Sequence, residues 1–160
     1  MFNIVQADLT IAEHAQAYLQ LMSHYALDPM GGGEALSDFA KENLIEALLK
    51  RNDVFIVLIF KDKNPAALLT AIEGFSTFAC RPLLNIHDLV VHNNYRGQGL
   101  SGQLFAEIEK IARSIKCCKI TLEVLEGNQI AKKAYNKQGF SDYQLDPECG
   151  SALFWSKPLN

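Results

Sequence analysis

Three glycines, Gly97, Gly99 and Gly102, stand between the apolar run Leu89-Val90-Val91 and a stretch with Leu100, Leu104, Ile108 and Ile111 at helical spacing. Glycine bends tightly and leaves its backbone N–H uncovered. A helix starting there adds unpaired N–H groups and the positive end of its dipole. That combination binds phosphate or pyrophosphate. Arg96 adds a cation beside the turn, although an arginine there fits a plain surface position equally well. Further on, Asn128, Ala131 and Tyr135 follow one another at helical spacing. Asn128 can cap a helix with its side chain. Ala131 is small enough to let a ligand approach, and Tyr135 lies one turn further on the same face. A tyrosine hydroxyl, with a reference pKa of about 10, holds its proton at neutral pH and can give it to a leaving group. His87, with a reference value of about 6.5, can take one. Taken alone, Tyr135 would read as a core aromatic and His87 as a hydrogen-bonded strand histidine.

Such residues need a strand–turn–helix–strand frame. Residues 83–91 read as a strand, 99–115 as an amphipathic helix and 119–125 as a second strand. A helix between two strands makes them parallel neighbours. Upstream, 3–7 is a short strand, and Thr10-Ile11-Ala12-Glu13 fits a capping box opening a helix to about Leu27. Asp28-Pro29-Met30-Gly31-Gly32-Gly33 is a loop. A second helix, 35–51, carries Leu36, Phe39, Leu44, Ala47 and Leu48 near helical spacing. Residues 53–60 are a buried strand, Lys61 to Pro65 a turn, and 66–78 a strand bulged near Gly74. Arg81-Pro82 then turns the chain into 83–91, so these three strands form an antiparallel meander. Downstream, a helix over 128–138 stops at Gly139, and strands near 140–145 and 151–157 close the chain. The expected class is α/β, a mixed α+β sheet in one domain spanning 1–160, with antiparallel strands followed by a βαβ unit.

The 160-residue chain is 49% hydrophobic and 21% charged, ordinary for a globular protein. Its net charge of -3 exerts no global pull toward nucleic acid or an acidic membrane. Lys132, Lys133 and Lys137 form a local basic group that reads as a solvated helix face. The longest apolar run, Val54 to Phe60, is too short to span a bilayer, and no signal peptide is expected. Cys80, Cys117, Cys118 and Cys149 lack paired CxxC spacing, so we expect no metal site, reduced thiols and a cytoplasmic location. Gly97-x-Gly99-x-x-Gly102 matches the dinucleotide fingerprint literally, and Glu123 or Glu126 stands about where a ribose-binding acid would. That fold needs several more βα units after the fingerprint, and only one helix and two short strands follow. An antiparallel meander before the turn does not belong to it either. No GxSxG elbow supports a hydrolase.

Arg96-Gly97-Gln98-Gly99-Leu100-Ser101 resembles the Arg/Gln-x-x-Gly-x-Gly/Ala loop of the GNAT superfamily of acyl-CoA-dependent N-acetyltransferases. Asn128-Gln-Ile-Ala131-Lys-Lys-Ala-Tyr135-Asn-Lys-Gln-Gly139-Phe140 is similar to that family's Asn-x-x-Ala-x-x-x-Tyr-x-x-x-Gly-Phe string. The resemblance covers most of the chain and is strongest over 83–140. Ser101 departs from the preferred Gly or Ala but is small, and Asn93 stands where proline is common. The resemblance implies that strands 83–91 and 119–125 splay apart at their C-terminal ends, with acetyl-CoA in the gap. Leu89, Val90 and Val91 would offer backbone hydrogen bonds to its pantetheine arm and thioester, and Gly97 to Gly102 would hold its pyrophosphate. Asn128 and Ala131 would line the same arm, and Tyr135 would be the general acid for the departing thiolate.

The implied reaction is direct attack of a primary amine on the acetyl carbonyl. An alkyl amine has a pKa of about 10.4 and must first lose a proton. His87 is the candidate base. Strand alternation would put it on one face with Asn85 and Leu89, opposite Asp88. Polyamine-acetylating relatives resemble this position with an acidic residue, so His87 argues against a polyamine. Asp88 and Glu123 are weaker base candidates. The loop after the first helix would overhang the acceptor with Tyr25 and Asp28, and Phe78 would wall the pocket; each also fits a purely structural role. The acceptor is expected to be a small-molecule or peptide amine, with no nucleic-acid or membrane partner. Leu153, Phe154 and Trp155 are apolar enough to pair across a homodimer interface, as relatives often do, or to pack in a core. The competing readings are a non-catalytic acyl-CoA-binding sensor and a nucleotide-cofactor oxidoreductase.

Overall fold

The computed structural model describes residues 1–159. Two compact units emerge: Met1–Leu122, and a second from Glu123 onward. The first holds a sheet in simple chain order: β1 (Phe2–Gln6), β2 (Val54–Lys61), β3 (Asn64–Ser76), β4 (Arg81–Val91) and β5 (Ile120–Leu122). Between β1 and β2 lie helices α1 (Ala12–Ala26) and α2 (Asp38–Leu49). β1 to β4 are antiparallel; β5 joins β4 in parallel after helix α3 (Leu100–Ser114). The fold is the expected mixed α/β sheet.

Ile56 to Phe60 of β2 and Ala66 to Leu69 of β3 are buried throughout, as in strands covered on both faces. On one face Tyr18 and Leu21 of α1 pack with Ile56, Leu58, Phe60, Leu68 and Val90. On the other, α3 crosses β2, β3 and β4 with Leu100, Leu104, Phe105 and Ile108 buried.

Several local expectations change. The capping box does not form: Ile11 stands at the start of α1 without a side-chain bond. The Thr10 hydroxyl instead donates to Asp8 Oδ1 at 2.6 Å. A serine or threonine oxygen bonds whichever nearby partner satisfies it, and Asp8 is two residues away. α2 starts later than expected, capped by Ser37 on the N–H of Ala40. Leu44 and Leu48 pack on the core, but Phe39 is 77% exposed. The β2–β3 turn is only Asp62-Lys63, with Asp62 at φ 57, so Pro65 lies within β3. The β3–β4 irregularity falls at Thr70/Ala71 rather than at Gly74.

β5 ends at Leu122, so Glu123 to Leu125 are not strand. The two strands expected at 140–145 and 151–157 reduce to one antiparallel bridge, Gln144 with Ser151, around a 3₁₀ turn at Pro147–Cys149. A strand needs a partner as well as suitable residues, and a lone pair of short segments is marginal. In the same unit α4 (Gln129–Lys137) forms as expected. Asn128 Oδ1 accepts from Ala131 N at 3.1 Å. At the other end Gly139 takes φ 87, its N–H bonds Asn136 O, and Phe140 N–H bonds Tyr135 O. That is a Schellman stop, and the Tyr135 and Phe140 rings meet across it at 6.3 Å. All four cysteines are free thiols, and no helix of the described residues is long and apolar enough to cross a membrane.

Candidate active site

The site begins where β4 changes character. Leu84, Asn85 and Ile86 pair with Ile120, Thr121 and Leu122, and pairing stops there. β4 runs on to Val91 with β3 alone beside it. Its backbone on the β5 side therefore has no strand partner from His87 to Val91. This stretch contains the predicted residues His87, Leu89, Val90 and Val91.

The break coincides with a bulge. Thr70 registers with Asp88 and Ala71 with Ile86, leaving His87 as the extra, exposed residue. This corrects the alternation argument. Asn85 and Asp88 register with Ile72 and Thr70, which are two apart on β3 and share its face. Asp88 is thus on the face of Asn85, toward α1, and the odd residue is His87.

Asp88 sits beside Thr70, whose hydroxyl meets that of Tyr18 at 3.3 Å. Burial pushes the Asp88 carboxyl above its ordinary range, against a hydrogen bond from Thr70 and the charge of His87. Burial also pushes the Tyr18 hydroxyl up to about 12. Tyr25, on the last turn of α1, is raised by burial and by the charges of Asp88 and Asp28. Tyr18, Thr70 and Asp88 form a polar group inside the sheet–α1 layer that sequence patterning missed. Thr70 reads as an ordinary strand residue, and its neighbours are distant in the chain.

Beyond Val91 the turn Asn93–Tyr95 leads into the glycines. Gly97 and Gly99 both take φ 76, a left-handed conformation that favours glycine. Gly99 stands at the N-cap of α3, and no side chain caps that end. The first-turn N–H groups of Leu100, Ser101 and Gly102 therefore have neither an intrahelical acceptor nor a capping side chain at Gly99. Leu100 is 1% exposed, so it can offer a ligand only its backbone. Ser101 fits because it occupies an ordinary helical position.

Arg96 is turned toward the protein. Its Nε donates to Val91 O at 3.1 Å and its Nη2 to Asp28 Oδ2 at 2.9 Å. That bond and one from Met30 N hold the Asp28 carboxyl below its ordinary value. Asp28, expected to face a substrate amine, is here the anchor of Arg96. Gly31 closes this loop so tightly that a Cβ would lie 2.0 Å from Tyr25 O. Phe78 lies in the β3–β4 turn, 104% exposed, at the opposite end of β4 from Val91. Asn128, Ala131 and Tyr135 belong to the second unit, where the first caps α4 and the last serves its Schellman stop.

The mixed sheet thus loses its β5 partner beside a left-handed glycine turn and a helix end without a side-chain cap. The sequence profile of the Acetyltransferase (GNAT) family matches residues 18–140, and the chain belongs to that family. It is 25% identical over 150 residues to a glucosamine 6-phosphate N-acetyltransferase of Trypanosoma brucei brucei, covering 90% of this chain and 95% of that one. It is 37% identical over 57 residues to the Uncharacterized N-acetyltransferase YycN of Bacillus subtilis (strain 168), a match spanning only 36% of each. Among solved structures, AAC(6')-Iy in complex with the bisubstrate analogue CoA-S-monomethyl-acetylneamine superposes with a TM-score of 0.76 at 17% identity, covering 99% of both chains.

Proposed function

We propose that the chain, acting as one catalytic domain over 1–160, transfers the acetyl group of acetyl-CoA to a primary amine of a small molecule or peptide. The observation that carries this reading is the open length of β4 running directly into the uncapped N-terminus of α3. The N–H groups of Leu100 to Gly102, with the helix dipole, suit a pyrophosphate. Gly97, Gln98 and Gly99 shape the turn around it. The backbone groups of Leu89 to Val91 on the β5 side, apart from Val91 O, which accepts from Arg96, suit the amide-bearing arm of the same molecule, and one of their N–H groups can polarise the thioester carbonyl. When bound, acetyl-CoA supplies an activated acetyl group and a thiolate leaving group.

The chain's own task is proton traffic. Tyr135 gives a proton to the departing sulfur, and Asn128 and Ala131 lie along the same helix face. His87, exposed at the bulge, takes the proton of the incoming ammonium. Asp88 is the second candidate base, favoured by a carboxyl raised toward the working pH. Tyr25 is kept for the acceptor side, with Asp28 acting through Arg96. The small-molecule arm of the reading is supported by the glucosamine 6-phosphate relative. We place the enzyme in the cytoplasm and regard a homodimer through the apolar C-terminal segment as its working form.

Thermal shift with acetyl-CoA, CoA, NADH and NADPH tests the cofactor. Stabilisation by a dinucleotide but not by CoA would reject the reading in favour of an oxidoreductase. Release of free thiol over a panel of amines tests catalysis; binding of acetyl-CoA with no acceptor turned over supports a sensor instead. Tyr135→Phe is expected to lower turnover about 10²-fold or more with CoA affinity kept. Equal rates would remove Tyr135 from the acid role.

A further inference from the structure

Two clasps tie the end of α1 to the segment that enters the glycine turn. One is the Asp28–Arg96 ion pair. The other joins His24, on the last turn of α1, to His92, the first residue after β4. Their rings stack with centroids 4.3 Å apart and planes 22° from parallel. His24 Nε2 is buried with no hydrogen-bond partner. His92 Nδ1 accepts the N–H of Asn94 at 3.3 Å, and its carbonyl accepts the N–H of Tyr95 at 2.8 Å. The His92 side chain thus caps the 3₁₀ turn that aims the chain at Gly97.

We propose that His24 and His92 are positioning residues for the phosphate-gripping loop, holding it in place only while the His92 imidazole is neutral. The chemistry follows from the atoms. Nδ1 accepts from Asn94 through a lone pair, and a proton there turns the acceptor into a donor. The same proton puts a cation against the ring of His24 and close to Arg96. The titratable and charged groups around His92 are His24 from α1, Arg96 and Tyr95 from its own loop, and Asp28 through Arg96. Asp28 also feels the charge of His24. Burial, then His24, then Arg96 keep the His92 proton affinity below its ordinary value. The neutral clasp therefore holds above pH 6.5 and is lost as pH falls through the lowered value in the fold.

The proposal rests on the glycine turn being the pyrophosphate grip, and its test separates the two. The probe is 3′-dephospho-CoA, because the 3′-phosphate of CoA would itself titrate near pH 6. Its affinity for the full chain is measured by calorimetry from pH 7.5 to 5.5. Binding that needs neutral His92 should weaken by up to about tenfold over this range. His92→Asn retains an acceptor for the Asn94 N–H but cannot titrate there. It loses the ring stack, so its affinity at pH 7.5 should fall below that of wild type, but the affinity it keeps should no longer change with pH. His24→Phe keeps a stacked ring, removes the electrostatic influence of His24 that lowers the His92 value, and should move the midpoint toward higher pH.

The second readout needs no ligand. In the free protein the amide resonances of Asn94 to Gly99 should shift with the same midpoint as the His92 ring. If no CoA derivative binds at any pH, the cofactor reading falls while these resonances still test the clasp. Identical pH dependence in wild type and His92→Asn, or loop amides indifferent to the titration of His92, would overturn the proposal.

Discussion

From Arg81 to Ile86, β4 has β3 on one side and, over Leu84 to Ile86, β5 on the other, with Leu84 fully buried and Ile86 nearly so. From His87 to Val91 it keeps β3 alone. The closed half is mainly packing: Leu84 and Ile86 are buried, Asn85 donates to the Thr121 hydroxyl of β5, and the charged Arg81 is exposed and donates to Lys116 O. The open half begins with a bulge, places a raised carboxyl beside Thr70 and Tyr18, and ends at a histidine stack. One strand can do both because the bulge shifts its side-chain alternation without ending its pairing with β3. The lesson is that close packing and titratable groups are separated along one strand rather than between strands.

This contrast can be broken by mutation. Leu84→Ala, at 0% exposure in the closed half, should lose roughly 2–5 kcal/mol. Thermal unfolding would read this as a fall on the order of 10 °C, and a drop of only a degree or two would show that the closed half is not the anchor. In the open half, Tyr18→Phe should lose only about 1 kcal/mol, since it removes one hydroxyl that meets Thr70 at 3.3 Å and keeps the ring.

Asp88→Asn should move the other way. The Asp88 pKa is raised in the fold, so the folded state holds the proton more tightly than the unfolded chain does. The protonated form therefore favours folding below the unfolded value of about 3.8, and that advantage is lost as pH rises through the raised folded value. Above it, the ionised carboxyl is a standing cost. Denaturation at pH 8 should show the asparagine variant gaining about 1 kcal/mol, and the gain should vanish near pH 3. A variant that is less stable at pH 8 would make Asp88 a structural partner. The smallest effect is expected for His87→Ala, exposed and outside the ladder register, with stability unchanged within about 0.5 kcal/mol. Its pH–rate profile should nonetheless change. An unaltered profile for this variant, with an altered one for Asp88→Asn, would transfer the base role to Asp88.

Much of the site was legible because it is written in short runs. Gly97 and Gly99 take the left-handed turn their type implies, Asn128 caps α4, and Gly139 with Phe140 ends it. The α3 face of Leu100, Leu104, Ile108 and Ile111 is buried as its period requires. The failures share a cause. Thr10 fits a capping box but found Asp8, and 151–157 reads as a strand but has only one bridge. In both, the local pattern was present and the partner was not the one assumed.

What the amino-acid order alone determined is therefore what short runs settle: the glycine bend, the α3 face, the two ends of α4 and the apolar strands. The tertiary structure decided the rest. It set the bulge at His87, the end of β5 at Leu122, the pairing of Asp28 with Arg96 and the stacking of His24 on His92. Each of these depends on which distant segment arrives alongside. No period or propensity within a single segment encodes its neighbour's register.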